Sequence, residues 1–233
     1  MRNITLVGAI AALCGGCAVG QTITYDDATP GLVARAPLAL GLVVQDQRSE
    51  VVHGEEVPPF VGFFRGGYGN RFDVLTTSGR PLGDDFMHVI GRGLAARGFR
   101  VTNLAVAPMA PPAQIVATAS RSGTARVLVV QLGDWKSDTY MGTKLEYDVT
   151  ARVFDVATAQ MLGEARVAQS QNLGASFWDA PGHAKKVIPP AYSAVLEHLL
   201  NADAIVKALS ETPSPPAGPP PAVGARAVGP GSV

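Results

Sequence analysis

The chain has 233 residues and no net charge at neutral pH, and 47% of it is hydrophobic. The balanced charge argues against a nucleic-acid partner, because binding to a phosphate backbone usually requires a basic patch. Both ends look non-globular, so about 170 residues remain, which favours a single folded domain. The two cysteines, Cys14 and Cys17, lie near the N-terminus. The predicted domain therefore has no cysteine for a disulfide or a metal site.

The N-terminus has the layout of an export signal. Arg2 supplies a positive charge, and residues 4–13 form an apolar run that is too short to span a bilayer. In one interpretation, residues 1–16 are a signal peptide removed by a lipoprotein signal peptidase, and Cys17 then carries acyl chains such as palmitate. In the other, an ordinary signal peptidase cuts after Gly20. We favour the first, since a cysteine directly after such a run is otherwise uncommon.

Two neighbours of Cys17 bear on this choice. Cys14 stands where lipoprotein sites usually carry leucine, which weakens the first interpretation. Ala18, and not aspartate, follows Cys17, and by resemblance to Gram-negative lipoproteins this favours sorting to the outer membrane. Three acyl chains would give stable attachment, because each buried methylene contributes about 0.8 kcal/mol. We expect a periplasm-facing protein of the cell outer membrane, and the alternative is a soluble periplasmic or secreted protein.

The predicted elements lie between two ends of different composition. Residues 17–36 are expected to contain the lipidated cysteine and a tether, residues 37–210 the domain, and residues 211–233 a disordered tail rich in Pro, Ala and Gly. Apolar runs and alternations predict strands at 37–45, 99–106, 125–132, 144–156 and 161–170, long helices at 81–97 and 191–209, and a short helix at 111–122.

The predicted strand at 144–156 suggests the fold class. Apolar residues from Leu145 to Val153 alternate with polar residues from Lys144 to Arg152, so one face is apolar and the other polar. Such strands belong to antiparallel sheets with helices on one side. We therefore expect a single α+β domain, with an antiparallel-rich mixed sheet of about five strands and two long helices packed on one face. Asp46 and Arg48, two residues apart at the end of a strand, predict a structural ion pair.

Two regions of the sequence carry candidate contact residues. The turn Gly66–Asn70 lies between Arg65 and Arg71, and amides of a glycine turn bind anions. A phosphate loop, however, requires Gly-Lys-Ser/Thr opening a helix, so an exposed turn is the preferred interpretation. Phe177 and Trp178, with Tyr140, line a hydrophobic groove or cap the core. The candidate residues for ligand or partner contact are Arg65, Gly66, Gly67, Tyr68, Arg71, Phe177 and Trp178.

No enzyme signature is recognisable. The four histidines have no metal-binding spacing, and no Gly-x-Ser-x-Gly motif is present. We therefore expect no catalysis, no metal and no cofactor.

Four segments together resemble the YajG-type envelope lipoproteins of proteobacteria. They are residues 42–48, 60–70, 81–85 and 94–99, and the resemblance runs from about Leu38 to Leu209. It implies a lipidated cysteine and a periplasm-facing α/β domain without known enzymatic activity, and it brings no catalytic residues. The departures are Cys14 and the long Pro-rich tail.

These observations lead to two hypotheses about function. The first is an outer-membrane-anchored periplasmic lipoprotein that acts as a structural or interaction module without catalysis. Its partners would be the membrane, through the lipid anchor, and another envelope protein. The alternative is a soluble periplasmic binding protein, which holds a small anionic or amphipathic ligand between the loops at Arg65–Arg71 and Phe177–Trp178.

Overall fold

The computed structural model describes residues 20–211, so the predicted signal peptide, Cys17 and nearly all of the predicted tail lie outside the described residues. The strands are β1 (Thr22–Ile23), β2 (Ala39–Asp46), β3 (Phe60–Arg65), β4 (Arg71–Thr76), β5 (Arg100–Asn103), β6 (Arg126–Thr139), β7 (Gly142–Asp155) and β8 (Met161–Ala175). The helices are α1 (Ser49–Val52), α2 (Leu82–Ala95), α3 (Pro112–Arg121), α4 (Ala180–Leu200) and α5 (Asp203–Ser210).

The expectation of about five strands with two long helices is wrong. Within residues 20–211 the sheet has eight strands, and it curls into a mixed half-barrel accompanied by five helices. The prediction missed β1 and β4, whereas β3 lies largely within residues 57–64, for which the sequence suggests a short strand. Proline and glycine interrupt the periodicity around β3 and β4, and the two residues of β1 are too few to show any.

The strand β6 organises the sheet because it is 14 residues long and pairs with three others. Along one edge its first half pairs in parallel with β2, and its last residues pair in parallel with β3. Along the other edge it pairs antiparallel with β7, which in turn pairs antiparallel with β8. Residues 133–143, which separate two of the strands expected from the sequence, are therefore mostly strand. A register shift near Gly133 keeps the β6–β7 pairing continuous through this region.

The predicted alternation in β7 is confirmed. Leu145, Val149, Ala151 and Val153 are completely buried, and Tyr147 is nearly so. The opposite face carries charged side chains that pair along and across the strands, as in the pair between Arg166 of β8 and Asp148 of β7. The sheet thus presents one face to the core and one polar face to solvent along this hairpin.

Helices cover both faces of the sheet. The main core packs α2, α4 and α5 against inward residues such as Leu42 and Leu128. A smaller core packs α3 against the neighbouring residues Val43 and Val127, which point to the other face. The expected second long helix is two helices, since α4 ends before Asn201 and α5 begins at Asp203. Within residues 20–211, no helix combines the length and the apolar character that crossing a bilayer requires.

Residues 20–36 do not form the tether that the sequence predicted. Tyr25, Leu32 and Ala34 are buried in the main core. The backbone amide of Gly31 donates to the carboxylate of Glu197 at 2.8 Å, and Asn201 both accepts from and donates to this segment. The segment is therefore part of the domain, held against the end of α4.

The predicted ion pair of Asp46 and Arg48 is confirmed, and it lies deeper than expected. The Arg48 side chain is fully buried and donates to Asp46 at 2.7 and 2.8 Å. It also donates to the carbonyl oxygens of Pro58 and Phe60, so it joins the end of β2 to the start of β3. These hydrogen bonds compensate for the cost of burying the charge.

Candidate interaction surface

Three turns meet at one end of the sheet, which we call the tip and define by residues 66–70, 140–141 and 176–179. The Tyr140 hydroxyl donates to the carbonyl of Gly67 at 3.5 Å, which joins the β6–β7 turn to the β3–β4 turn. The backbone amide of Ser176 donates to the carbonyl of Met141 at 3.1 Å, which joins the β6–β7 turn to the segment before α4. The structure therefore brings the two predicted contact regions to the same end.

The tip carries large apolar side chains in contact with solvent. Tyr68 and Trp178 are essentially fully exposed, at 103% and 99%, and Phe177 is 79% exposed. Tyr140 and Met141 lie between them and are 41% and 52% exposed. The four most exposed aromatic side chains among residues 20–211 all lie at the tip. Exposed apolar groups concentrated in one place mark a binding surface more often than isolated ones do.

The two arginines beside the glycine turn are already engaged. The guanidinium of Arg65 donates to both carboxylate oxygens of Asp138. These hydrogen bonds lower the pKa of Asp138, and the same pair raises the pKa of Arg65. Arg71 lies over the ring of Phe63, with 4.8 Å between the guanidinium carbon and the ring centroid. Neither arginine points freely toward an anion in the turn.

The glycine turn closes on itself. The amide of Gly66 donates to the carbonyl of Asn70 at 2.9 Å, and the amide of Gly69 donates to the carbonyl of Gly66 at 2.8 Å. Gly69 has a φ of +81°, a conformation that glycine adopts at little cost. Two amides that an anion site would use are thus occupied, which supports the exposed turn that the sequence favoured.

A cavity of about 260 Å³ lies on the polar face next to the tip. It is lined by Phe63, Arg71, Lys136, Ser137, Asp138, Lys144 and Glu146. Lys144 pairs with Glu146 at 2.7 Å, and Lys136 pairs with Asp134 at 3.2 Å. Its lining includes Arg71 but neither Phe177 nor Trp178, so this cavity does not join the two loops in the way that the alternative hypothesis requires.

The described chain also begins near the tip. β1 pairs in parallel with β4, with Thr22 opposite Leu75, so the chain before Thr22 heads toward Arg71 and the glycine turn. Gln21 lines a small crevice with Phe64, Thr139 and Pro181, which belong to the tip-side ends of β3, β6 and α4. The first described residues therefore lie toward the tip end of the sheet.

No group of three or more His, Cys, Asp or Glu side chains in residues 20–211 has the arrangement of a metal site. His53 contacts the hydroxyl of Ser49, and His183 contacts the carbonyl of Leu173. Each of these two histidines has a local structural contact.

Sequence reasoning missed Met141 as a member of this surface. The signal was present, since Tyr140-Met141-Gly142 connects two polar-apolar strands and a turn seldom needs two large apolar residues. What the sequence did not show was that this turn lies between the other two.

No family model and no curated protein matches the chain. Protein XCC0632 of Xanthomonas campestris, from the family DUF330, is 10% identical over 79% of this chain and 92% of its own, with a TM-score of 0.48.

Two further solved structures are similar at a lower level. Protein CT253 of Chlamydia trachomatis is 12% identical over 75% of this chain and 98% of its own, with a TM-score of 0.46. Lipoprotein GNA1162 of Neisseria meningitidis is 13% identical over 71% and 100%, with a TM-score of 0.31. All three scores are low, so they carry no argument about family or function. The resemblance to YajG-type lipoproteins stays a prediction.

Proposed function

We propose that this chain is a lipoprotein, anchored in the outer membrane through Cys17 and facing the periplasm. It acts as a structural or interaction module and not as an enzyme. The sequence support is the charged start, the short apolar run and the cysteine that follows it. The structural observation that carries the proposal is the burial of Tyr25 in the main core, shortly after Cys17 in the sequence.

The spacing between Cys17 and the fold is very short. The backbone from Cys17 to Gly20 spans at most about 11 Å when fully extended. Since Tyr25 is buried in the core, no long linker separates the proposed anchor from the domain. The described chain ends at the opposite end of the sheet, where Arg126 donates to the carbonyl of Ala208 in α5. An anchor on Cys17 would thus hold the domain at the tip and leave its other end away from the bilayer.

The proposal of a non-catalytic role rests on what the buried charges do. Arg48 holds β2 to β3 through Asp46 and two carbonyls, as described above. Asp85 accepts from the Ser78 hydroxyl at 2.8 Å and from Arg80 at 2.8 and 3.1 Å, at the start of α2. Burial raises the pKa of Asp85. In both sites the buried charge is used to hold neighbouring segments of the fold together.

The test is intact mass spectrometry of the full chain after expression in a Gram-negative host, together with membrane fractionation. We expect the mature protein to start at Cys17 with three acyl chains and to appear in the outer-membrane fraction. Cys17→Ser should remove the acyl mass and the outer-membrane location. Cys14→Ser is the matched control, because it changes the other cysteine and should leave both unchanged.

Two results would contradict the proposal. A mature protein that starts at Gln21 without lipid would support the soluble alternative. A Cys17→Ser protein that still fractionates with the outer membrane after a salt wash would show that attachment does not depend on acylation.

A further inference from the structure

We infer that the tip is a second membrane contact, in which Tyr68, Tyr140, Met141, Phe177 and Trp178 enter the headgroup region of a phospholipid bilayer. The orientation of this contact rests on the proposed function, since the acyl anchor would bring this end of the domain to the membrane. The affinity of the side chains for lipid does not rest on it, and it is tested separately.

The chemistry of the exposed side chains fits a bilayer surface. Tyrosine and tryptophan have a large apolar ring and one polar group, and they are enriched at the level of lipid headgroups. Trp178 and Tyr68 are almost completely exposed, and Phe177 is mostly so. None of these three rings needs a change in the fold to reach lipid. Leaving such a group of rings in water is unfavourable, and burial in the headgroup region removes that cost.

The length of chain between Cys17 and Gly20 selects lipid as the occupant. The acyl chains would lie in the leaflet, and Gly20 lies within about 11 Å of Cys17 at full extension. Gln21 contacts the same crevice as Phe64 and Pro181, which are next to the tip. A second copy or another protein covering the tip would have to fit between the domain and the bilayer, where little space remains.

Several charged groups beside the tip are already engaged within the fold, and Arg71 lies over the ring of Phe63. Arg65 pairs with Asp138, and Lys144 pairs with Glu146. The Asp179 carboxylate accepts from the amide of Gly182 at the start of α4. Binding would therefore depend on apolar burial and not on attraction to anionic lipids, so it should persist on neutral vesicles and at high salt.

The two tryptophans of the chain make the test direct. Trp178 is 99% exposed, whereas Trp135 is fully buried in the core. The protein tested is the mature chain, residues 17–233, with Cys17→Ser, so that no acyl chain contributes. On vesicles of phosphatidylcholine we expect the tryptophan emission to shift to the blue, and brominated phosphatidylcholine should quench it. In the Trp178→Phe variant the remaining Trp135 signal should show neither effect.

Matched substitutions then separate the tip from the rest of the surface. Met141 at the tip and Met161 at the opposite end of the β7–β8 hairpin are 52% and 53% exposed. Met141→Ser and Phe177→Ser should both weaken binding to the vesicles. Phe177→Ser should weaken it by about tenfold, because the variant loses the partial burial of one aromatic ring. Met161→Ser should leave binding unchanged.

The inference is overturned if vesicles leave the emission of Trp178 unchanged, or if Met161→Ser weakens binding as much as the tip variants do. Binding that disappears on neutral vesicles at high salt would also overturn it, because charge would then be the cause. If acyl chains are absent from Cys17 but Trp178 still inserts, the proposed anchor fails while the membrane contact stands. If acyl chains are present and Trp178 does not insert, the contact fails while the anchor stands.

Discussion

Truncation of Tyr25 distinguishes most directly between the packed segment seen in the structure and the tether that the sequence predicted. The Tyr25 side chain is fully buried, and its hydroxyl accepts a hydrogen bond from the indole Nε1 of Trp135 at 3.1 Å. Its ring lies edge-on to Trp135 and to Tyr192, with centroid distances of 6.0 and 5.1 Å. If residues 20–36 were a tether, none of these contacts would contribute to stability.

Two substitutions separate the contributions of the ring and the hydroxyl. Tyr25→Ala should lower the free energy of unfolding by about 3–5 kcal/mol, because it leaves a ring-sized cavity and removes two aromatic contacts. Tyr25→Phe keeps the ring but leaves the Trp135 indole nitrogen buried without this acceptor, at a cost of about 1–3 kcal/mol.

The assay is urea unfolding of the mature chain followed by circular dichroism, with the midpoint and the slope fitted together. A lower midpoint with an unchanged slope would show a loss of stability without a change in the surface exposed on unfolding. Tyr68→Ala and Tyr68→Phe are matched controls, since Tyr68 is fully exposed and such surface changes usually stay within about 0.5 kcal/mol. A cost below about 1 kcal/mol for Tyr25→Ala would refute the packed segment and restore the tether.

Two further predictions concern the region below the tip. Gly62 has a φ of +143°, and an added Cβ would lie 2.1 Å from the carbonyl oxygen of Ser137, so Gly62→Ala should cost about 1–3 kcal/mol in urea unfolding. Gly67→Ala, with no atom within 4 Å of the added carbon, should cost much less, and equal costs would contradict the argument. Hydrogen bonds from Arg65 lower the pKa of Asp138. This pair is partly exposed, so it should add about 0.2–1 kcal/mol to the free energy of unfolding. That stability is present above the unfolded pKa of about 4 and is lost as the pH falls through the folded pKa. Asp138→Asn should therefore make stability less dependent on pH in acid, and an unchanged pH profile would contradict this.

The local patterns of the sequence predicted several elements correctly. The alternation along β7 assigned every inward residue from Leu145 to Val153, because side chains of a strand alternate between faces wherever the strand lies. The helix expected at 81–97 is α2 at Leu82–Ala95, and its periodic apolar residues are buried: Leu82, Phe86, Val89, Ile90 and Leu94. Periodicity of this kind depends only on residues within one element.

The sequence predicted the two regions of the candidate surface separately. Arg65 to Arg71 and Phe177 with Trp178 are more than a hundred residues apart, and each was selected for its own composition. Their meeting at one end follows from the pairings of β3 with β6 and of β7 with β8. The helix expected from residue 191 begins at Ala180 in the structure. Gly182, Pro189 and Pro190 are poor helix formers, and packing against the sheet overrides that preference.

The sequence alone therefore determined the faces of β7 and α2, the proposed export signal and the residue types available for contact. Only the tertiary structure decided that Tyr25 belongs to the core and that the exposed rings collect at one end of the sheet. The reason is the range of the interactions. Strand and helix periods arise between near neighbours, whereas the Tyr25–Trp135 hydrogen bond joins residues 110 positions apart and forms only once the whole sheet has assembled.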